Sequence, residues 1–312
     1  MTRFAFVFPG QGSQSVGMLD AWGDHPAVRQ TLDDASAALG EDVGALIAGG
    51  PKERLDLTTN TQPVMLTAGI ACYRAWLAET GLEPAVVAGH SLGEYTALVA
   101  AGALSLADAL PLVRFRAQAM QDAVPVGAGA MAAILGLDAQ GVRAGCAAVA
   151  ASSGEVVEAV NFNDPKQTVI AGSKAGVEQA IVALKAAGAK RALQLPVSAP
   201  FHSSLMKPAA DRLEAKLMQA RIAPPRIEVV NNVDVRVETD PQLIRDALYR
   251  QAFAPVRWVE VVQAVRARGI THVFECGPGK ALAGMVKRID PDAVTGTVLD
   301  PETLAEVRAQ LA

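Results

Sequence analysis

Apolar residues along this chain come in two kinds of stretch, short continuous runs and longer segments with helical spacing, and the two alternate. Residues 3–8 (RFAFVF) form a β-rich run that stops at Pro9-Gly10 and opens into the loop GQGSQ. Residues 64–79 place apolar side chains at helical intervals up to a stop at Gly81. Residues 85–89 (AVVAG) are apolar throughout, which predicts a parallel strand covered on both faces. A helix is predicted directly after them, over 92–101. Later come helices over 106–124 and 204–220, a strand over 227–231, a helix over 261–268, and a closing strand over 271–276. Pro111 predicts a kink or restart within the first of these helices.

Residues 128–197 follow a rhythm of their own. The pattern gives a strand at 130–136, a helix at 138–151 and two strands, 156–161 and 167–171, about an Asn163-Asp164-Pro165 turn. A helix at 177–187 and a strand at 191–197 complete it. The order β-α-β-β-α-β is that of a ferredoxin-like unit. The expected organisation is a larger α/β domain, 1–127 with 198–312, holding a small inserted subdomain, 128–197.

Composition removes several function classes. With 312 residues, 51% of them hydrophobic, the chain can build one large core or two unequal ones. A net charge of −4 gives no sign of a nucleic-acid surface. The longest apolar stretch, 85–104, is broken by His90, Glu94 and glycines, so no membrane span is expected. The opening residues hold too short an apolar run for a signal peptide. Cys72, Cys146 and Cys276 are odd in number and lack a CxxC pair, and they read as free thiols in a reducing cytoplasm. Four histidines without HxxxH spacing point away from a metal enzyme.

The candidate chemistry starts at Gly89-His90-Ser91-Leu92-Gly93. A Gly-x-Ser-x-Gly between a strand and a helix is the setting of a nucleophile elbow, in which the serine backbone is strained and its hydroxyl exposed at the strand end. Small residues two positions either side let strand and helix approach, and the Leu92 amide opens the helix toward an oxyanion. The competing reading is a serine that only caps the helix.

A nucleophilic serine needs a base. His90 adjoins Ser91 on a sharp turn and reads as structural, and His272 begins a strand and reads as packing. His202, in the loop VSAPFHSSLM, follows the serine in the order used by α/β hydrolases and is the candidate base. No acid presents itself as a third member, since Asp164 reads as a turn residue and Glu155, Glu158 and Glu178 as solvated faces. Arg114 and Arg116 lie two apart on one helix, so at most one faces a cleft beside Ser91. An arginine there suits a substrate carboxylate, and the pattern alone does not choose between them.

Six segments in order then carry a resemblance: GQGSQ (10–14), GHSLGEY (89–95), RFRAQAMQDAVP (114–125), PVSAPFH (196–202), QAFAPVRW (251–258) and ECGPGK (275–280). Over essentially its whole length the chain resembles the malonyl-CoA:acyl carrier protein transacylase family of bacterial fatty-acid synthesis. The resemblance implies an α/β-hydrolase-like domain with a ferredoxin-like insert, and malonyl transfer from malonyl-CoA to acyl carrier protein. It implies Ser91 as nucleophile, His202 as base, and Gln11 and Leu92 as main-chain oxyanion donors. By the same resemblance Arg116 holds the malonyl carboxylate and the main-chain carbonyl of Gln251 orients the histidine, in place of the missing acid. Asn161 and Asn163 fall in a hairpin that faces the site in this family and receive no role. Phe201 and Leu92 resemble positions that go with malonyl rather than methylmalonyl. No cofactor or metal is implied, and a cytoplasmic monomer is expected. An acidic carrier would meet a basic rim, for which Lys190-Arg191, Lys207 and Lys287-Arg288 are candidates. A serine thioesterase and a non-catalytic relative are the other readings; the first lacks its acid, and intact Ser91, His202, Arg116 and Gln251 speak against the second.

Overall fold

The computed structural model describes residues 2–197 and 199–312, so Ser198, where the larger domain is expected to resume, lies outside the described residues. The first strand, β1 (Phe4–Phe8), has every residue buried. Its alternation serves two layers. Phe4, Phe6 and Phe8 enter one hydrophobic core, while Ala5 and Val7 enter another on the opposite face. Four helices follow: α1 (Pro26–Leu39), α2 (Val43–Gly49), α3 (Lys52–Leu55) and α4 (Thr58–Thr80). The last of these is buried along nearly its whole length, and its Trp76 meets the ring of Phe6 edge-on at 5.3 Å. Burying such rings contributes about 1.5–3 kcal/mol each.

Next come β2 (Val86–Gly89), α5 (Gly93–Ala100) and α6 (Leu106–Asp122). The second unit is β3 (Gly129–Leu135), α7 (Ala139–Ser153), β4 (Val157–Asp164), β5 (Gln167–Ser173), α8 (Lys174–Ala186) and β6 (Arg191–Gln194). The chain returns through α9 (Lys207–Gln219), β7 (Glu228–Val230), α10 (Pro241–Gln251), α11 (Trp258–Ala267) and β8 (His272–Cys276). It ends in α12 (Ala281–Ile289), β9 (Val294–Val298) and α13 (Pro301–Leu311).

Two sheets result. The first is parallel, in the order β7-β2-β1-β8-β9, and the second has four antiparallel strands in the order β4-β5-β3-β6. The second carries the predicted βαββαβ order. It is tied to the rest through the main chain of Val256, which donates to Val160 O at 2.8 Å and accepts from Phe162 N at 3.0 Å. Arg288 adds an ion pair to the buried Asp164 at 2.6 Å. Among the described residues no helix is long and apolar enough to cross a membrane.

Three expectations change. Pro111 neither kinks nor restarts a helix, because α6 runs unbroken through it. It sits on the exposed side, where water can take the carbonyl that its ring leaves unbonded. The helix expected at 64–79 begins earlier, at Thr58, and runs through the buried Pro63. The sheet does not close at β8 but gains β9, a five-residue Val/Thr run interrupted at its centre by Gly296.

Candidate active site

The parallel register sets Phe8 beside Gly89, so the loops after β1 and β2 leave the sheet together. Ser91 turns the chain with φ 54°, a left-handed conformation that costs a non-glycine residue on the order of 1–3 kcal/mol. The glycines around it answer a steric need. A Cβ on Gly89 would stand 1.9 Å from the Gly93 main chain, and one on Gly93 would stand 2.0 Å from Phe8 O. The Gly-x-Ser-x-Gly spacing therefore lets α5 start directly against β1 and β2, with Ser91 raised above the sheet edge.

The strained turn is pinned by Asn232, which the sequence analysis did not single out. Its Oδ1 accepts from Ser91 N at 2.8 Å and its Nδ2 donates to Gly89 O at 2.8 Å. Asn232 sits just past β7, on the same sheet end as Ser91, and that placement is the signal that could have found it. The N–H of Leu92 is the first of α5 to lack an internal acceptor, as a helix start requires. Among the described residues, neither it nor the N–H of Gln11 makes an internal hydrogen bond.

His202 meets Ser91 from the other side. Ser91 Oγ lies 2.7 Å from His202 Nε2, and His202 Nδ1 lies 2.8 Å from the Gln251 main-chain oxygen. A carbonyl can only accept, so Nδ1 carries the proton and Nε2 is left to take one from the serine. His202 is itself strained, with φ 65°. Burial, and then the nearby Arg116 cation, push its pKa down to about 3. The imidazole is therefore neutral at working pH. The acid absent from the sequence is absent for a structural reason, since a peptide carbonyl occupies its position.

The two arginines separate cleanly. Arg114 points away and pairs with Glu41. Arg116 is 1% exposed and enters the site, donating from one terminal nitrogen to Gln62 Oε1 at 2.8 Å. Its other terminal nitrogen reaches Gln251 Oε1 at 2.9 Å and Ser91 Oγ at 3.3 Å. Burial lowers its pKa, while Tyr95 and Glu94 oppose that shift; an arginine remains charged regardless. Gln62 and Glu94 also escaped sequence reasoning. Glu94 is buried, accepts from Asn232 N at 3.0 Å and from Gln251 Nε2 at 2.9 Å, and has its pKa raised to about 7 by burial.

Ser91, His202, Arg116 and Gln62 line a cavity of about 110 Å³. Gln11, His90, Ser91, Leu92, Arg116 and His202 border it from the larger unit, with Phe201 and Met120; Met131, Asn161, Leu195 and Val197 border it from the second. His90 does stay structural, as expected: its Nε2 bonds Asn163 Oδ1 at 2.8 Å and its ring packs on Trp258. Asn163 thus ties the β4–β5 hairpin to the serine turn. Asp164 holds its turn through a bond from Lys166 N at 2.8 Å. Of the candidate rim cations, Lys207 is engaged by Asp211 and Arg288 by Asp164, whereas Lys190 and Arg191 are exposed.

Known proteins resemble this chain along nearly their full length. The acyl transferase domain family matches residues 5–288. The malonyl CoA-acyl carrier protein transacylase of Escherichia coli (strain K12) is 53% identical over 306 residues, covering 98% of each chain. The crystal structure of the acyl-carrier-protein S-malonyltransferase of Burkholderia pseudomallei 1710b superposes with a TM-score of 0.96 at 65% identity, covering 98% of this chain and 100% of that one. A malonyl-transacylase solved in complex with a type II PKS acyl-carrier protein gives a TM-score of 0.96 at 47% identity, covering 99% of this chain and 100% of that one. A strained serine beside a carbonyl-held histidine and a buried arginine, in a chain so alike, leaves one assignment: this chain belongs to the acyl transferase family, among the malonyl CoA-acyl carrier protein transacylases.

Proposed function

We propose that the protein moves a malonyl group from malonyl-CoA, through an ester on Ser91, to the phosphopantetheine thiol of an acyl carrier protein. The observation that carries this reading is Arg116, a buried guanidinium 3.3 Å from the Ser91 hydroxyl in the site cavity. Such a cation asks for an acyl group with a carboxylate at its far end. The transacylase solved with a carrier supplies the acceptor class.

In the first half-reaction Ser91 Oγ attacks the thioester carbonyl while its proton passes to His202 Nε2. The oxyanion that forms is taken by the Gln11 and Leu92 N–H groups, each worth about 3–4 kcal/mol in comparable sites. The C–S bond breaks, and the proton on Nε2 goes to the departing CoA sulfur. In the second half the carrier thiol gives its proton to Nε2 and attacks the ester. Ser91 Oγ leaves and takes that proton back. Asn232 and the Gln251 carbonyl hold serine and histidine in register throughout, so little reorganisation is required.

Supplying malonyl units to fatty-acid or polyketide assembly follows from the two substrates. We place the reaction in the cytoplasm, in keeping with three buried free thiols, and divide the chain into 1–127 with 198–312 and the inserted 128–197. The test is intact-mass measurement after malonyl-CoA addition. The wild type gains one malonyl adduct that a carrier protein discharges, and Ser91→Ala gains none. An adduct persisting in Ser91→Ala refutes the assignment of the nucleophile.

A further inference from the structure

The pocket's chemistry converges on a side chain that touches none of the reacting atoms. Glu94 lies in the first turn of α5 and is 2% exposed. Its Oε2 accepts from the main chain of Asn232, at 3.0 Å, and from the side-chain amide of Gln251, at 2.9 Å. Asn232 is the residue that pins Ser91. Gln251 works at both ends: its carbonyl holds His202, its amide nitrogen also donates to Ser91 O at 2.9 Å, and its amide oxygen accepts from Arg116.

The amide of Gln251 can be turned either way round, and only one way serves. With Oε1 toward Arg116 it accepts from the guanidinium, and reversed it would point N–H at N–H. A carboxylate at position 94 accepts and never donates, so together with the Ser91 carbonyl it keeps Nε2 on its own side and Oε1 on Arg116. The charge of Glu94 also favours the Arg116 cation against the effect of burial, with the neutral amide standing between the two groups.

We propose that Glu94 is a positioning residue for carboxylate recognition, which through the Gln251 amide orients Arg116 and so favours malonyl over acetyl. This rests on the malonyl-transfer reading above. Charged and titratable groups around Glu94 are Arg116 of α6, Tyr95 on its own helix, Asp234 and Glu238 after β7, and His202 beyond Gln251. Asp234 is held ionised by Arg250 of α10, and burial keeps Tyr95 protonated, its pKa raised to about 12. His202 is neutral down to about 3. Glu94, its pKa raised to about 7 by burial, is ionised above that and protonated below.

The experiment measures the rate of acyl-enzyme formation from malonyl-CoA and from acetyl-CoA between pH 6 and pH 8. In the wild type the malonyl-to-acetyl rate ratio falls as pH drops through 7. In Glu94→Gln the malonyl rate at pH 8 drops about tenfold and the acetyl rate less than threefold, and the ratio no longer varies with pH. Equal losses for both substrates in Glu94→Gln, or a ratio in the variant that keeps the wild-type pH dependence, overturns the proposal. Should Glu94→Gln fail to fold, the wild-type pH series decides alone, and a flat ratio refutes it. A wild type that forms no malonyl adduct at all would instead sink the transfer reading, so the two failures are distinguishable.

Discussion

The parallel sheet brings to the pocket a strained serine, a carbonyl-held histidine and a buried arginine. The antiparallel sheet brings Met131 and Asn161, and the segment after β6 brings Leu195 and Val197, with no charge among the four. On the first side Ser91, His202 and Arg116 are each held by two or more hydrogen bonds, and two left-handed non-glycine residues are held in place at Ser91 and His202. The second side is a wall, joined by the His90–Asn163 bond and the Val256 main chain. The division teaches that chemistry and shape are supplied separately. Changes on the parallel side should alter rate or the reading of charge on the acyl group, and changes along the wall should alter which acyl shape fits.

The largest effect is expected where the parallel side has no slack. In Gly89→Ala the new methyl would overlap the Gly93 main chain at 1.9 Å, so α5 must move off β2 and take Leu92 and Ser91 with it. A displacement of about 1 Å at reacting atoms costs on the order of a hundredfold. Acyl-enzyme formation in Gly89→Ala should therefore fall at least that far with malonyl-CoA and acetyl-CoA alike, alongside a lower melting temperature. Near-normal rates with either donor would show that the elbow is less tightly packed than the geometry indicates.

Arg116→Ala comes next and sharpens the comparison, because Arg116 is the parallel-side cation proposed to hold the acyl carboxylate. Removing one partner of a buried, hydrogen-bonded charge pair costs roughly 2–5 kcal/mol. Malonyl acylation should drop by about two to three orders of magnitude, while acetyl acylation is spared or improves. Parallel measurements with the two donors check this, and equal loss of both would remove Arg116 from the role of carboxylate anchor.

Why Ser91 and His202 were readable in the sequence, and Asn232 and Glu94 were not, follows from how each is specified. The elbow is local: strand, tight turn and helix are contiguous, and the two glycines announce the close approach. Asn232 joins Ser91 across 141 residues and Gln251 joins Glu94 across 157, so neither contact leaves a mark in nearby spacing. Arg114 and Arg116 differ by a choice made elsewhere, since Glu41 captures one and the pocket encloses the other. The resemblance selected Arg116; periodicity could not. Likewise the βαββαβ order was legible from alternation and turns, while β9 is a short Val/Thr run broken at its centre by Gly296.

The smallest effect belongs to the pocket's shape and tests the wall directly. Phe201 is 9% exposed, borders the cavity and packs into the core shared by Met120, Met131 and Val160. Its ring thus belongs to both sides, carried by the loop that delivers His202 but pressed against the second sheet. Phe201→Ser removes the ring and costs on the order of 3 kcal/mol of stability. The space released is beside the acyl group, and a single methyl in an apolar pocket is worth about 1–3 kcal/mol of discrimination. Methylmalonyl-CoA should then gain on malonyl-CoA by no more than about tenfold, read from acylation rates with the two donors, while the malonyl rate itself changes little. A large loss of malonyl rate with no gain for methylmalonyl would mean that Phe201 supports His202 rather than the acyl wall, and the boundary between chemistry and shape would have to be redrawn on the other side of that ring.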